Sequence, residues 1–98
     1  HPLVRRHPVT KKPSLFLSPH TMVKIVDYDY DKGRKLLEKL IEHSTQPKYV
    51  YEHIWNNDDI VMWDNRCTMH SVKPFDNNII KRIMHRVTLV GDKEPVMA

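Results

Sequence analysis

Three side chains in this 98-residue sequence have the types and spacing to do chemistry together: His70, Arg82 and Arg86. His70 ends the stretch Trp63-Asp64-Asn65-Arg66-Cys67-Thr68-Met69-His70, and the arginines lie in the basic run Lys81-Arg82-Ile83-Met84-His85-Arg86. An imidazole is the commonest metal-binding side chain. A guanidinium grips a carboxylate through two parallel N–H bonds, which a lysine cannot reproduce. In an extended run alternate side chains share a face, so Arg82, Met84 and Arg86 fall together, opposite Lys81, Ile83 and His85. A metal ligand and two guanidinium forks converging on one cavity would hold an ion and two anionic groups beside it.

Each of these readings has a structural alternative. With seven histidines in the chain, most will be exposed or will close hydrogen-bond networks. Two arginines on a strand face can simply be solvated. Cys67 and His70 have the spacing of half a zinc site, but a structural zinc takes four ligands and no second Cys exists. Cys67 reads better as a small apolar residue. A facial triad of two histidines and one carboxylate for non-haem iron needs a His-x-Asp or His-x-Glu, which this chain lacks. Nucleophilic catalysis has no support, since there is no Gly-x-Ser-x-Gly and Cys67 has no basic partner by spacing. With only Gly33 and Gly91, no phosphate-cradling loop can be built.

Bulk properties narrow the class further. The length allows one domain or part of one, with a modest core. Formal net charge is +4, with acids interspersed among the bases. Small-anion binding accounts for that excess better than nucleic-acid binding does. No apolar run approaches the roughly 20 residues of a membrane span. A lone cysteine fits a reducing compartment, so a cytoplasmic location is expected. The N-terminus has neither an initiator Met nor a signal region and reads as the interior of a longer chain.

The positioning elements follow from periodicity. Residues 1–8 are expected as a short strand, 9–13 as a turn, 14–18 as a buried strand and 21–26 as a half-buried one. A helix is expected from about Asp31 to Ser44, with Leu36, Leu37, Leu40 and Ile41 on one face and Asp29 and Asp31 at its positive end. It should lie against a sheet. Residues 48–55 and 60–63 read as a hairpin about Asn56-Asn57-Asp58-Asp59. Residues 73–78 form a loop, residues 79–90 a long strand ended by Gly91-Asp92, and the tail to Ala98 is loosely held. The fold class is mainly β with one covering helix, and its closed form would be a jelly roll.

At the Trp63–His70 block, and over Arg82 to Asp92, the sequence closely resembles the C-terminal part of the taurine/2,4-D dioxygenase family. The likeness also runs through His1-Pro2-Leu3-Val4-Arg5, His7-Pro8, Leu15-Phe16-Leu17, Leu36-Leu37 and His43-Ser44-Thr45-Gln46-Pro47. The resemblance implies a partial double-stranded β-helix (a cupin-like jelly roll). Residues 1–98 would be a C-terminal fragment of a single 2-oxoglutarate dioxygenase domain. It implies iron(II) as metal and 2-oxoglutarate as cosubstrate. It also implies His70 as the distal iron ligand, Arg82 as the partner of the far carboxylate of 2-oxoglutarate, and Arg86 as the group meeting an anionic substrate. Trp63 would be a pocket wall. The implied reaction is hydroxylation, by dioxygen, of a small organic acid of sulfonate or aryloxyalkanoate type. No nucleic acid or membrane is implied as partner, and homo-oligomerisation of the parent stays open. In the family the His-x-Asp pair lies upstream of the matched part, so the isolated chain is expected to be inactive. The turn Thr10-Lys11-Lys12-Pro13 lacks the Gly often found there, and Asp58 stands where Gly or Asn is usual. The alternative is a non-catalytic β-barrel module that binds a small anion.

Overall fold

A computed structural model describes residues 1–91 and 95–98. The chain divides into two units, one made of residues 1–16 and 65–98, the other of residues 17–64.

In the first unit, β1 (Val4–Arg6) pairs antiparallel with β2 (Pro13–Leu15), placing Val4 opposite Leu15 and Arg5 opposite Ser14. Pro13, which lacks an N–H, takes the first position of its strand, where that loss is tolerated. The connecting turn is organised by His7, a buried polar residue. Its backbone N–H donates to Lys12 O and its carbonyl accepts from the Lys11 N–H, each at 2.9 Å. Its ring Nδ1 accepts the N–H groups of Val9 and Thr10 at 3.2 and 3.0 Å. Lys11 turns the chain at φ 62°, in left-handed space that disfavours side chains. Beside β1, the Arg5 guanidinium lies 4.2 Å over the Phe16 ring, and the edge of His1 meets that ring.

The expectation of a loosely held tail is corrected here. Arg6 N–H donates to Val96 O at 2.9 Å, Ala98 N–H donates to Val4 O at 3.1 Å, and Arg5 bridges Met97. β1 therefore has hydrogen-bonded partners on both sides. Its orphan backbone groups are what residues 96–98 satisfy. Asp92, expected to end a strand, lies outside the described residues.

The second unit is organised by α1 (Tyr30–Ser44), which begins one residue before the expected start. Asp29 is its N-cap: the carboxylate accepts the Lys32 N–H at 2.9 Å, and Asp31 adds negative charge to the first turn. Leu37 is 2% exposed, and Leu36, Leu40 and Ile41 are half-buried, so the face inferred from spacing is the inward one. Gly33 is buried where the helix meets Ile25 and Tyr28. Arg34 reaches back to donate to the carbonyls of Met22 and Val23 at 3.0 and 3.3 Å, tying that segment to the helix. At the far end, Thr45 bonds Ile41 O through both its N–H and its hydroxyl. Gln46 Nε2 donates to His43 O, and a 3-10 turn follows over Pro47–Tyr49.

Among the described residues, β1 and β2 are the only strands. The expected strands at 21–26, 48–55, 60–63 and 79–90 are not assigned, so these residues show only a small part of the mainly-β architecture. The expected packing of the helix on a sheet is not seen within either unit. A strand is a property of a pair: without a ladder partner an apolar, β-branched segment stays extended and unassigned. Burial says the same. Ile60 is 94% exposed and Val90 95% exposed, although their residue types suit a covered sheet. The jelly roll is therefore not closed by these residues.

Candidate functional site

His70, Arg82 and Arg86 all belong to the first unit and are all exposed. His70 follows the turn at residues 65–67, and both arginines lie on the segment after the loop around Asp76. That loop is self-bonded: the Asp76 carboxylate accepts the Asn78 N–H at 2.9 Å, and its carbonyl accepts from Ile80 at 2.9 Å. Such an Asx turn needs no help from elsewhere in the chain. It also presents Phe75, over whose ring the Arg82 guanidinium sits at 5.6 Å, within cation–π range. Arg82 is thus braced by an aromatic face while its fork stays exposed.

Two open depressions lie along α1, one of about 330 Å³ lined by Lys39, Glu42, His43 and Gln46 and one that includes Lys35, and neither is lined by His70, Arg82 or Arg86. Trp63, the expected pocket wall, belongs to the second unit and is 39% exposed. Cys67 is exposed and forms no disulfide, so its reading as a buried apolar residue is corrected.

As a donor set, the three residues suit one corner of a metal and keto-acid site. One imidazole supplies one nitrogen ligand, and two guanidinium groups supply forks that match carboxylates. A facial triad needs two further ligands, so the set fits as a part and not as a whole. The structural alternative for histidine is realised at His7, whose Nδ1 is committed to two backbone N–H groups.

One constellation was not foreseen. At the turn after residue 55, the Tyr51 hydroxyl lies 3.1 Å from His53 Nδ1, and His53 Nε2 lies 2.9 Å from Asp59 Oδ2. The same Oδ2 accepts the Asn56 N–H at 2.9 Å. That backbone bond, with help from His53, holds the Asp59 carboxyl below its ordinary value against a smaller opposing effect of burial. The sequence signal was present: Tyr51 and His53 share a face by alternation, and Asp59 ends the turn. What sequence could not supply was the reach of a side chain across that turn.

Residues 1–88 match the family described as taurine catabolism dioxygenase TauD, TfdA family. An alpha-ketoglutarate-dependent 2,4-dichlorophenoxyacetate dioxygenase of Burkholderia sp. (strain RASC) is 41% identical over 92% of this chain and 30% of its own length. Pentalenolactone F synthase of Streptomyces arenae is 37% identical over 94% of this chain and 30% of its own. The crystal structure of AAD-2 in complex with Mn(II) and N-oxalylglycine superposes with a TM-score of 0.73 at 51% identity, over 78% of this chain and 30% of that one. The chain thus spans about a third of the length of the curated relatives it matches. On the match over residues 1–88, the chain belongs to the taurine catabolism dioxygenase TauD, TfdA family.

Proposed function

We propose that this chain is the C-terminal part of an iron(II)- and 2-oxoglutarate-dependent dioxygenase that hydroxylates a small organic acid. The observation that carries the reading is the Trp63–His70 block followed by Arg82 and Arg86, inside a stretch that matches the family over residues 1–88. Of the two substrate types, aryloxyalkanoates are the better supported. Named relatives include a 2,4-dichlorophenoxyacetate dioxygenase and an (S)-phenoxypropionate/alpha-ketoglutarate-dioxygenase of Sphingobium herbicidovorans, 38% identical to this chain. The remaining length of the parent would supply the His-x-Asp pair and the strands that close the jelly roll over residues 51–63 and 79–90.

His70 would hold the metal through one ring nitrogen. When bound, iron(II) with 2-oxoglutarate supplies dioxygen activation coupled to loss of carbon dioxide and formation of succinate. Everything this chain does around that chemistry is positional. Arg82 receives the far carboxylate of the cosubstrate in a bidentate fork, which fixes where the keto-acid end lies. Its seat over Phe75 restricts the guanidinium before the ligand arrives and lowers the ordering cost of binding. Arg86, on the same face of the segment by alternation, meets the carboxylate of the substrate.

In the full-length parent, Arg82→Ala should raise the 2-oxoglutarate requirement by about 10- to 100-fold, as expected for loss of a charge-assisted pair. Arg82→Lys should recover only part of it, because an ammonium has no fork. An unchanged requirement would remove Arg82 from this role. Saturable dicarboxylate binding that ignores metal would favour the non-catalytic anion-binding module instead.

A further inference from the structure

The arms on either side of the Asn56–Asp59 turn carry no strand assignment among the described residues, yet a side-chain network joins them. The turn is closed by the Asp59 N–H on Asn56 O at 3.2 Å, with Asp58 at φ 69° in its third position. That geometry is the type II pattern, which favours Gly or Asn at the third position. An aspartate there weakens the turn's own preference, so something else must specify which residue of one arm faces which of the other.

Asp59 does this through one oxygen. An ionised carboxylate only accepts, so both the Asn56 N–H and the His53 Nε2–H donate to it. With the proton on Nε2, the neutral ring has Nδ1 as acceptor and the Tyr51 hydroxyl donates to it. If the ring is protonated, the hydroxyl rotates and accepts, so the relay survives either state. Trp55 meets the ring edge-on, with centroids 4.7 Å apart, and limits its tilt. His53 and Asp59 are both part-buried, with side-chain exposures of 25% and 30%.

Asp59 is four residues before Trp63. A slip of one residue in an extended arm turns every side chain to the opposite face, and would carry Trp63 with it. We propose that Tyr51, His53 and Asp59 are positioning residues, whose relay sets the register at which the chain leaves the turn and so the presentation of the Trp63–His70 block. The proposal rests on the dioxygenase reading above for what that block does.

The experiment uses the full-length parent and its variants His53→Gln, His53→Leu and Asp59→Asn. Ring 15N shifts of His53 should show the proton on Nε2 at neutral ring charge. Asp59→Asn, whose amide N–H would face that nitrogen, should move the proton to Nδ1. Anaerobic Mn(II) titration should show roughly tenfold weaker binding for His53→Leu, the size of effect typical of residues that orient ligands. His53→Gln, whose amide can still donate to Asp59, should stay within about threefold of the parent. A neutral ring protonated on Nδ1 in the unsubstituted protein would overturn the relay. Equal Mn(II) affinity in all variants, or equal loss in Gln and Leu, would overturn it too. Should His53→Leu not fold, Asp59→Asn decides: tenfold loss with the tautomer change supports the relay, and unchanged affinity rejects it. Failure of the unsubstituted parent to bind Mn(II) would instead strike the dioxygenase reading, while the ring signal would still judge the relay.

Discussion

At the scale of single residues, the turn at residues 56–59 concentrates two measurable effects. Asp58 sits at φ 69°, a conformation that costs an ordinary side chain about 1–2 kcal/mol and glycine almost nothing. Glycine gives back part of that gain through its freer unfolded state. Asp58→Gly should therefore raise stability by about 0.5–1 kcal/mol in denaturant unfolding. Asp59 adds a pH effect. Its folded carboxyl is held below the ordinary value of 3.8, first by the Asn56 N–H and then by His53. A depressed acid stabilises the fold above its unfolded pKa, and that contribution is lost as pH falls through the folded value. Unfolding midpoints measured downward from pH 5 should fall less steeply for Asp59→Asn than for the unsubstituted protein.

Among the elements, α1 was legible because its determinants are local. Asp29 caps it, Asp31 suits its positive end, and the Leu36, Leu37, Leu40 and Ile41 spacing defines a face. Gly33 is the exception, a poor helix residue in the first turns of a good helix. A Cβ there would lie 3.4 Å from Tyr28 Cδ1 and 3.8 Å from Ile25 Cβ, ordinary contact distances. Gly33→Ala should thus gain close to the full helix propensity difference, about 1 kcal/mol, read as a higher midpoint in thermal or urea unfolding. A loss would mean that the Tyr28 ring cannot yield the last tenths of an ångström. The turn at His7 was legible as a turn, but not the ring that organises it.

Over the whole molecule, residue types and their surroundings disagree. Among the described residues Leu17 and Leu37 are the buried large apolar side chains, while Ile60, Met62, Leu89 and Val90 stand at 85–95% exposure. In each unit, apolar side chains left this exposed are what a covering partner would bury. The relatives are about three times as long as this chain, and the proposed jelly roll would place strands of the parent against it. The 98-residue chain by itself should bind the dye 8-anilinonaphthalene-1-sulfonate with a marked rise in fluorescence, and the full-length parent should do so far less. Equal dye binding would argue that these segments stay uncovered in the parent.

The sequence alone determined what depends on neighbours along the chain: the helix and its cap, the turns expected at residues 9–13 and 56–59, and a block of residues specific enough to carry a family. Tertiary structure decided what depends on distant partners. It joined residues 96–98 to β1, seated Arg82 over Phe75, and linked His53 to Asp59 across a turn. It also withheld the ladders expected at residues 48–63 and 79–90, because a strand exists only where a second backbone satisfies its N–H and C=O groups.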